Sequence, residues 1–108
     1  MEYVLRYDVK PTRSSEFQRW LQGAGTAFGE HAPDGWTYEG TYFTVRGFGD
    51  YSNETRWRID SYASLGSGFG DQDSIGLISQ WMDFVDQSRP WQATLYKEAS
   101  EVDILPGT

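Results

Sequence analysis

The segment Thr55-Arg56-Trp57-Arg58-Ile59-Asp60-Ser61-Tyr62 has the two-residue period of a β-strand, and both of its faces are specific. Trp57 and Ile59 fall on one side, while Arg56, Arg58, Asp60 and Tyr62 fall on the other. Successive strand side chains point to opposite faces of a sheet. One face of this sheet is therefore apolar and the other is rich in charge and phenol. A face that merely meets water has no need of two arginines, an acid and a tyrosine in a row. The pattern points to a sheet packed on one side and bordering a polar concavity on the other.

The rest of the chain supplies the partners of such a sheet. Glu2 to Lys10 alternates, with Tyr3, Leu5, Tyr7 and Val9 on one face and Glu2, Arg6, Asp8 and Lys10 on the other. Pro11 ends that strand because it has no N–H to give a ladder. Ser15 and Gln18 have the spacing of a helix capping box. Phe17, Trp20, Leu21, Ala24 and Phe28 then recur at helical spacing. Gly23, Gly25 and Gly29 weaken the second half of this helix, each by up to about 1 kcal/mol relative to Ala.

Pro33-Asp34-Gly35 is a turn, and Trp36 to Arg46 reads as a second strand rich in Thr, Tyr, Phe and Val. The strand beginning at Thr55 is third. Beyond it lie a glycine-rich loop from Gly66 to Gly70, a helix capped by Asp71 or Asp73, and a stop at Ser88-Arg89-Pro90. The helix stripe is Ile75, Ile78, Met82 and Val85, widened by Leu77, Trp81 and Phe84. Trp91 to Glu98 forms the fourth strand.

The order β-α-β-β-α-β predicts an α+β, ferredoxin-like fold: a four-stranded antiparallel sheet with two helices on one face. Residues 1–98 make one domain, and 99–108 form an acidic tail that could pair with a partner subunit.

Composition narrows the function classes. The chain has 16 acidic and 9 basic residues, a net charge of −7. Phosphate-backbone binding needs Lys and Arg clustered on one face, so neither nucleic acid nor a membrane surface is an expected partner. With no cysteine, thiolate catalysis, zinc–thiolate and iron–sulfur sites are excluded. No apolar run approaches the roughly 20 residues of a membrane span, and no leader is visible at Met1-Glu2-Tyr3, so a cytoplasmic protein is expected. Aromatic residues make up 17% of the chain, more than a small core needs, which assigns some to a pocket or an interface.

The open sheet face then carries the candidate site. Arg6 and Asp8 come from the first strand, Arg56, Arg58, Asp60 and Tyr62 from the third, and Thr94 and Tyr96 from the fourth. The second strand adds either Tyr38, Tyr42 and Thr44 or Thr41, Phe43 and Val45. The tyrosines are favoured, and the strand is long enough to hold a bulge. Two chains packing these faces together would enclose a polar and aromatic cavity.

Tyr3-Val4-Leu5-Arg6-Tyr7-Asp8-Val9-Lys10-Pro11, followed by Glu16-Phe17, resembles the opening of NIPSNAP-like and related dimeric α+β barrel proteins. Trp57-Arg58-Ile59-Asp60-Ser61-Tyr62-Ala63-Ser64-Leu65 is similar to their third strand running into a helix start. The resemblance implies a homodimeric α+β barrel. It also implies the activities of that superfamily, among them cofactor-independent, antibiotic-biosynthesis-type monooxygenation, haem degradation and stress response. The glycine loop departs from the pattern, and no haem-ligand or monooxygenase motif matches residue by residue.

Candidate catalytic residues are Arg58 as oxyanion stabiliser, Asp60 and Tyr62 as proton carriers, and His31, the single histidine. Candidate ligand-binding residues are Arg6, Tyr38, Tyr42, Arg56 and Tyr96. For His31 a surface role at a helix C-terminus competes, and for Arg58 and Asp60 a buried pair that only fixes the sheet. Asp71 and Asp73 read as helix caps rather than metal ligands, and no cofactor is expected. The expected function is binding of a small aromatic or anionic organic molecule, with an oxygenase-type reaction as its enzymatic form. The alternative is a ligand-free dimerisation or stress-related module.

Overall fold

The structure is a computed structural model that describes residues 1–66 and 72–101, with the side chains of 72–74 and 101 excepted. The rest of the glycine-rich loop after Gly66, the side-chain caps expected of Asp71 and Asp73 and the pairing of the tail fall outside that range. The chain runs β1 (Glu2–Val9), α1 (Ser14–Glu30), β2 (Trp36–Phe43), β3 (Asn53–Ile59), α2 (Gln72–Phe84), β4 (Val85–Asp86) and β5 (Gln92–Tyr96). One turn of 3-10 helix, Tyr62–Gly66, follows β3. All pairings are antiparallel: β2 with β3, β3 with β1, and β1 with both β4 and β5. This is the ferredoxin-like α+β arrangement. No helix among the described residues is long and apolar enough to cross a membrane.

β3 folds with the predicted parity. Asn53, Thr55, Trp57 and Ile59 are buried under the helices, while Arg56, Arg58 and Asp60 are exposed. In β1, Tyr7 and Val9 are buried on the helix side. Val4 points the other way yet is only 3% exposed. It lies between Arg56 of β3 and Thr94 of β5 in the ladder, where long arginine stems can cover apolar surface.

Three local expectations are corrected. The helix α1 begins at Ser14 with no side-chain cap bond, so Ser15 and Gln18 form no capping box. The Arg13 carbonyl accepts from the Phe17 N–H at 2.9 Å instead. Its glycines do not interrupt it before Glu30. Val85 is not helical: Val85 and Asp86 leave α2 to pair with Val9 and Asp8. The last edge of the sheet is thus two pieces, β4 and β5, with 87–91 looping out between them.

The third correction matters most for the site. Tyr38 pairs with Trp57 but Gly40 pairs with Arg56, leaving Glu39 as an extra residue. A bulge of one residue reverses the facing of everything beyond it. Tyr42 consequently lies on the open face as favoured, whereas Tyr38 lies on the helix side. Thr41 and Phe43 join Tyr38 there. Gly40, at φ +145°, adopts a backbone conformation open to glycine and few others.

The core is aromatic. Tyr7, Val9, Phe17, Phe84 and Val85 form one buried group, and Ala24, Phe28 and Trp57 form a second beside it. Both lie between the sheet and α1. The turn into β2 is pinned by Gly35, at φ +81°. Its carbonyl accepts from the Asp60 N–H at 2.9 Å, and a Cβ there would meet the side chain of Ser64.

Candidate functional site

On the open face, five side chains from four strands form one continuous chain of contacts. The Glu54 carboxylate accepts from Arg6 Nε at 3.1 Å and from Arg56 Nε at 2.6 Å. The Arg56 guanidinium lies 5.5 Å from the centre of the Tyr42 ring. Arg6 reaches across β1 to the Tyr96 hydroxyl at 3.4 Å. Arg6, Tyr42, Arg56 and Tyr96 are thus brought together as expected, with Glu54 as the shared acid that sequence reading left out. Glu54 is the outward residue between Asn53 and Thr55, so its parity was available.

At one end of this face, Asp8 accepts from Arg89 and from the Ser52 backbone N–H. Arg89 foremost, together with that N–H, holds the Asp8 carboxyl below its ordinary value. Elsewhere on the sheet, a hydrogen bond with Glu39 and partial burial push Glu2 above the usual carboxylate range. A wide polar hollow of about 520 Å³ lies over Arg6, Glu54, Asp50, Thr44 and Gln92. Its arginine is already paired with Glu54, which leaves it little unmatched charge for an anion.

The proposed catalytic group does not assemble. Arg58 and Asp60 are both exposed in the single chain, and neither makes a side-chain bond among the described residues. Tyr62 sits outside the sheet in the 3-10 turn, 62% exposed, with the Lys97 ammonium 5.5 Å from its ring. His31 ends α1, half-buried, its backbone N–H bonded to the Ala27 carbonyl. That position is in the helix layer, across the sheet from Arg58.

Behind the sheet lies the enclosure that sequence reading missed. Tyr3 and Leu5 of β1, Thr55 and Trp57 of β3, Trp36 and Thr41 of β2, Phe28 of α1, and Ile78 and Trp81 of α2 line a slot of about 220 Å³. Its rings brace one another: Tyr3 and Trp36 are 5.3 Å apart, Trp36 and Trp57 5.7 Å, and Phe28 and Trp57 6.2 Å, the last two edge to face. Such tilted and T-shaped pairs are the favoured aromatic geometries. No lining side chain is charged.

The slot wall carries a line of four hydroxyls. Tyr7 bonds Thr55 at 2.7 Å, Thr55 bonds Thr41 at 3.0 Å, and Thr41 bonds Tyr38 at 2.7 Å. Burial pushes the Tyr7 phenol up to about 12 and raises Tyr38 as well, so both remain neutral near pH 7. The signal for this site was present in β3. Thr55, like Asn53, is a polar residue on the buried parity, and buried polar groups require partners. Among the described residues, no group of three His, Asp or Glu side chains could hold a metal ion.

Comparison with known proteins bears on the fold. No family model matches the sequence, and no curated protein matches it. Among solved structures, the chain is similar to an uncharacterized NIPSNAP domain protein from Burkholderia xenovorans. The TM-score is 0.67 at 15% identity, covering 95% of this chain and 100% of that one. It is also similar to Rv0793 from Mycobacterium tuberculosis, with a TM-score of 0.60 at 20% identity over 91% of this chain and 96% of that one. At these identities the likeness is one of architecture, and the chain has a NIPSNAP-like, ferredoxin-like α+β fold.

Proposed function

We propose that this chain binds a small organic molecule in the slot between sheet and helices, and that two copies pack their open faces together as a dimeric α+β barrel. The slot carries the reading. Ligand sites are concave and mostly apolar, with a few placed polar groups, and the three tryptophans with the threonine pair supply that combination. The absence of charged lining favours an aromatic ligand over an anionic one. Toluene is a suitable first probe. Binding that favours the folded state raises Tm, so toluene raises it in the wild type but not in Ile78→Trp, which fills the slot. An equal response in the two proteins refutes the assignment.

The open face supports dimerisation more than ligand binding, because Arg6, Glu54 and Arg56 already satisfy one another. For that face the ligand-free interface reading is favoured. Light scattering should return twice the 12.4 kDa chain mass; a monomer at about 100 μM, a hundred times a micromolar Kd, removes the dimer. The resemblance adds a reaction class, cofactor-independent oxygenation of the bound molecule. Absence of O₂ uptake with every ligand that occupies the slot would sink that part alone.

A further inference from the structure

Building on the slot as the ligand site, we infer that its occupant is an uncharged, ring-sized molecule that donates one hydrogen bond, from an O–H or N–H, to the pair Thr41 and Thr55. The size follows from the volume. An apolar protein cavity of about 150 Å³ accommodates benzene, so about 220 Å³ accommodates a single ring with a substituent. Neutrality follows from the lining, since an ion would lose its water with no charged side chain to replace it.

The donor follows from the direction of the hydroxyl line. Tyr7 is 0% exposed, and the Thr55 oxygen is 2.7 Å from its own. A buried O–H left unmade is costly, so Tyr7 donates to Thr55. A hydroxyl has one proton and two lone pairs. Thr55 is itself buried, 8% exposed, so its proton too is best placed within the line: it donates onward to Thr41, and Thr41 to Tyr38. The surplus proton collects on Tyr38, which is half-buried and able to meet water.

Each threonine then has its proton engaged and one lone pair left. Towards the slot this pair is an acceptor. The Trp36 indole N–H is occupied as well, donating to the Ser64 carbonyl at 2.6 Å. A carbonyl or ether in the ligand would face lone pairs, whereas a phenolic O–H would complete the line.

Three probes of closely matched size separate the possibilities: p-cresol, which donates; its isomer anisole, which only accepts; and toluene, which does neither. Affinities are read by quenching of tryptophan fluorescence. The wild type should bind p-cresol about tenfold tighter than anisole, the ratio one neutral hydrogen bond supports. Thr41→Val frees the Thr55 proton to turn to the slot, so the preference narrows or inverts. Thr41→Ser retains it, and Tyr3→Phe leaves it unchanged. Toluene affinity is the same throughout. If Thr41→Val does not fold, Tyr38→Phe, which removes the acceptor of the Thr41 proton and frees it to turn to the slot, is read in the same way.

Anisole binding as well as p-cresol in the wild type, or Val and Ser variants behaving alike, overturns the inference while the slot stands. If none of the three probes perturbs the fluorescence, the slot itself is refuted and the inference falls with it.

Discussion

Phe17→Ala will lower the unfolding free energy by about 3–5 kcal/mol, the range for emptying a buried aromatic site. Phe17 is 0% exposed, and its ring is the meeting point of the core. Four others lie around it: Phe84 at 5.2 Å, Trp20 at 5.8 Å, Phe43 at 6.0 Å and Tyr7 at 6.2 Å. These come from α2, α1, β2 and β1, so one side chain joins both helices to the sheet. Large rigid neighbours collapse poorly into a void, which places the loss toward the upper part of the range. Domains of this size have total stabilities of about 5–15 kcal/mol, and the variant will be near unfolding at moderate temperature. Urea titration measures it as a lower midpoint at unchanged slope. A loss below about 1.5 kcal/mol, typical of a volume-conserving core swap, would show that this ring does not join the layers.

Raising the pH from 10 to 12 will destabilise the fold by about 2 kcal/mol through Tyr7 alone, at 1.36 kcal/mol per pKa unit. In the unfolded chain the phenol titrates at its ordinary value of 10.0, and in the fold burial holds it up to about 12. Between those values the native state keeps a proton that the unfolded state has lost. The stability is therefore fully present below pH 10 and lost as pH rises through 12. Tyr38, raised in the same direction by burial, adds to the loss with the same sign. Tyr7→Phe will flatten most of this alkaline slope. At pH 7 it will cost about 1 kcal/mol for one neutral hydrogen bond, since Thr55 keeps its bond to Thr41. Denaturation midpoints of both proteins at pH 7, 10 and 11.5 decide it; parallel pH profiles would remove Tyr7 as the source.

The two faces of the sheet differ in how much of them could be read ahead of the structure. Parity alone places Arg6, Arg56 and Tyr96 on the open face and leaves Tyr42 in the favoured one of two registers, and all four meet there. Parity works because strand side chains alternate whatever lies above them. It failed at Tyr38 because one bulged residue, Glu39, resets the alternation, and the cross-strand register that creates a bulge is a property of the pair. Arg58 and Asp60 share the outward parity and are exposed, but Tyr62 lies past the end of β3 in the 3-10 turn. The chemical type that singles out His31 says nothing of distance. Arg58 and His31 proved to be on opposite sides of the sheet.

The order of elements, the apolar stripe of α1 and the inward set Trp57 and Ile59 were determined by the sequence by itself, because each depends on a local period that burial must respect. The excess of aromatic residues also pointed to a pocket or an interface. Only the tertiary structure decided where that pocket is. The slot takes residues from three strands and two helices, from Tyr3 to Trp81, and its polar wall exists because Tyr7, Tyr38, Thr41 and Thr55 converge across the β1, β3 and β2 ladders. Hydrogen bonds act over about 3 Å. Residues 48 positions apart, as Tyr7 and Thr55 are, come within that reach only once the sheet has paired.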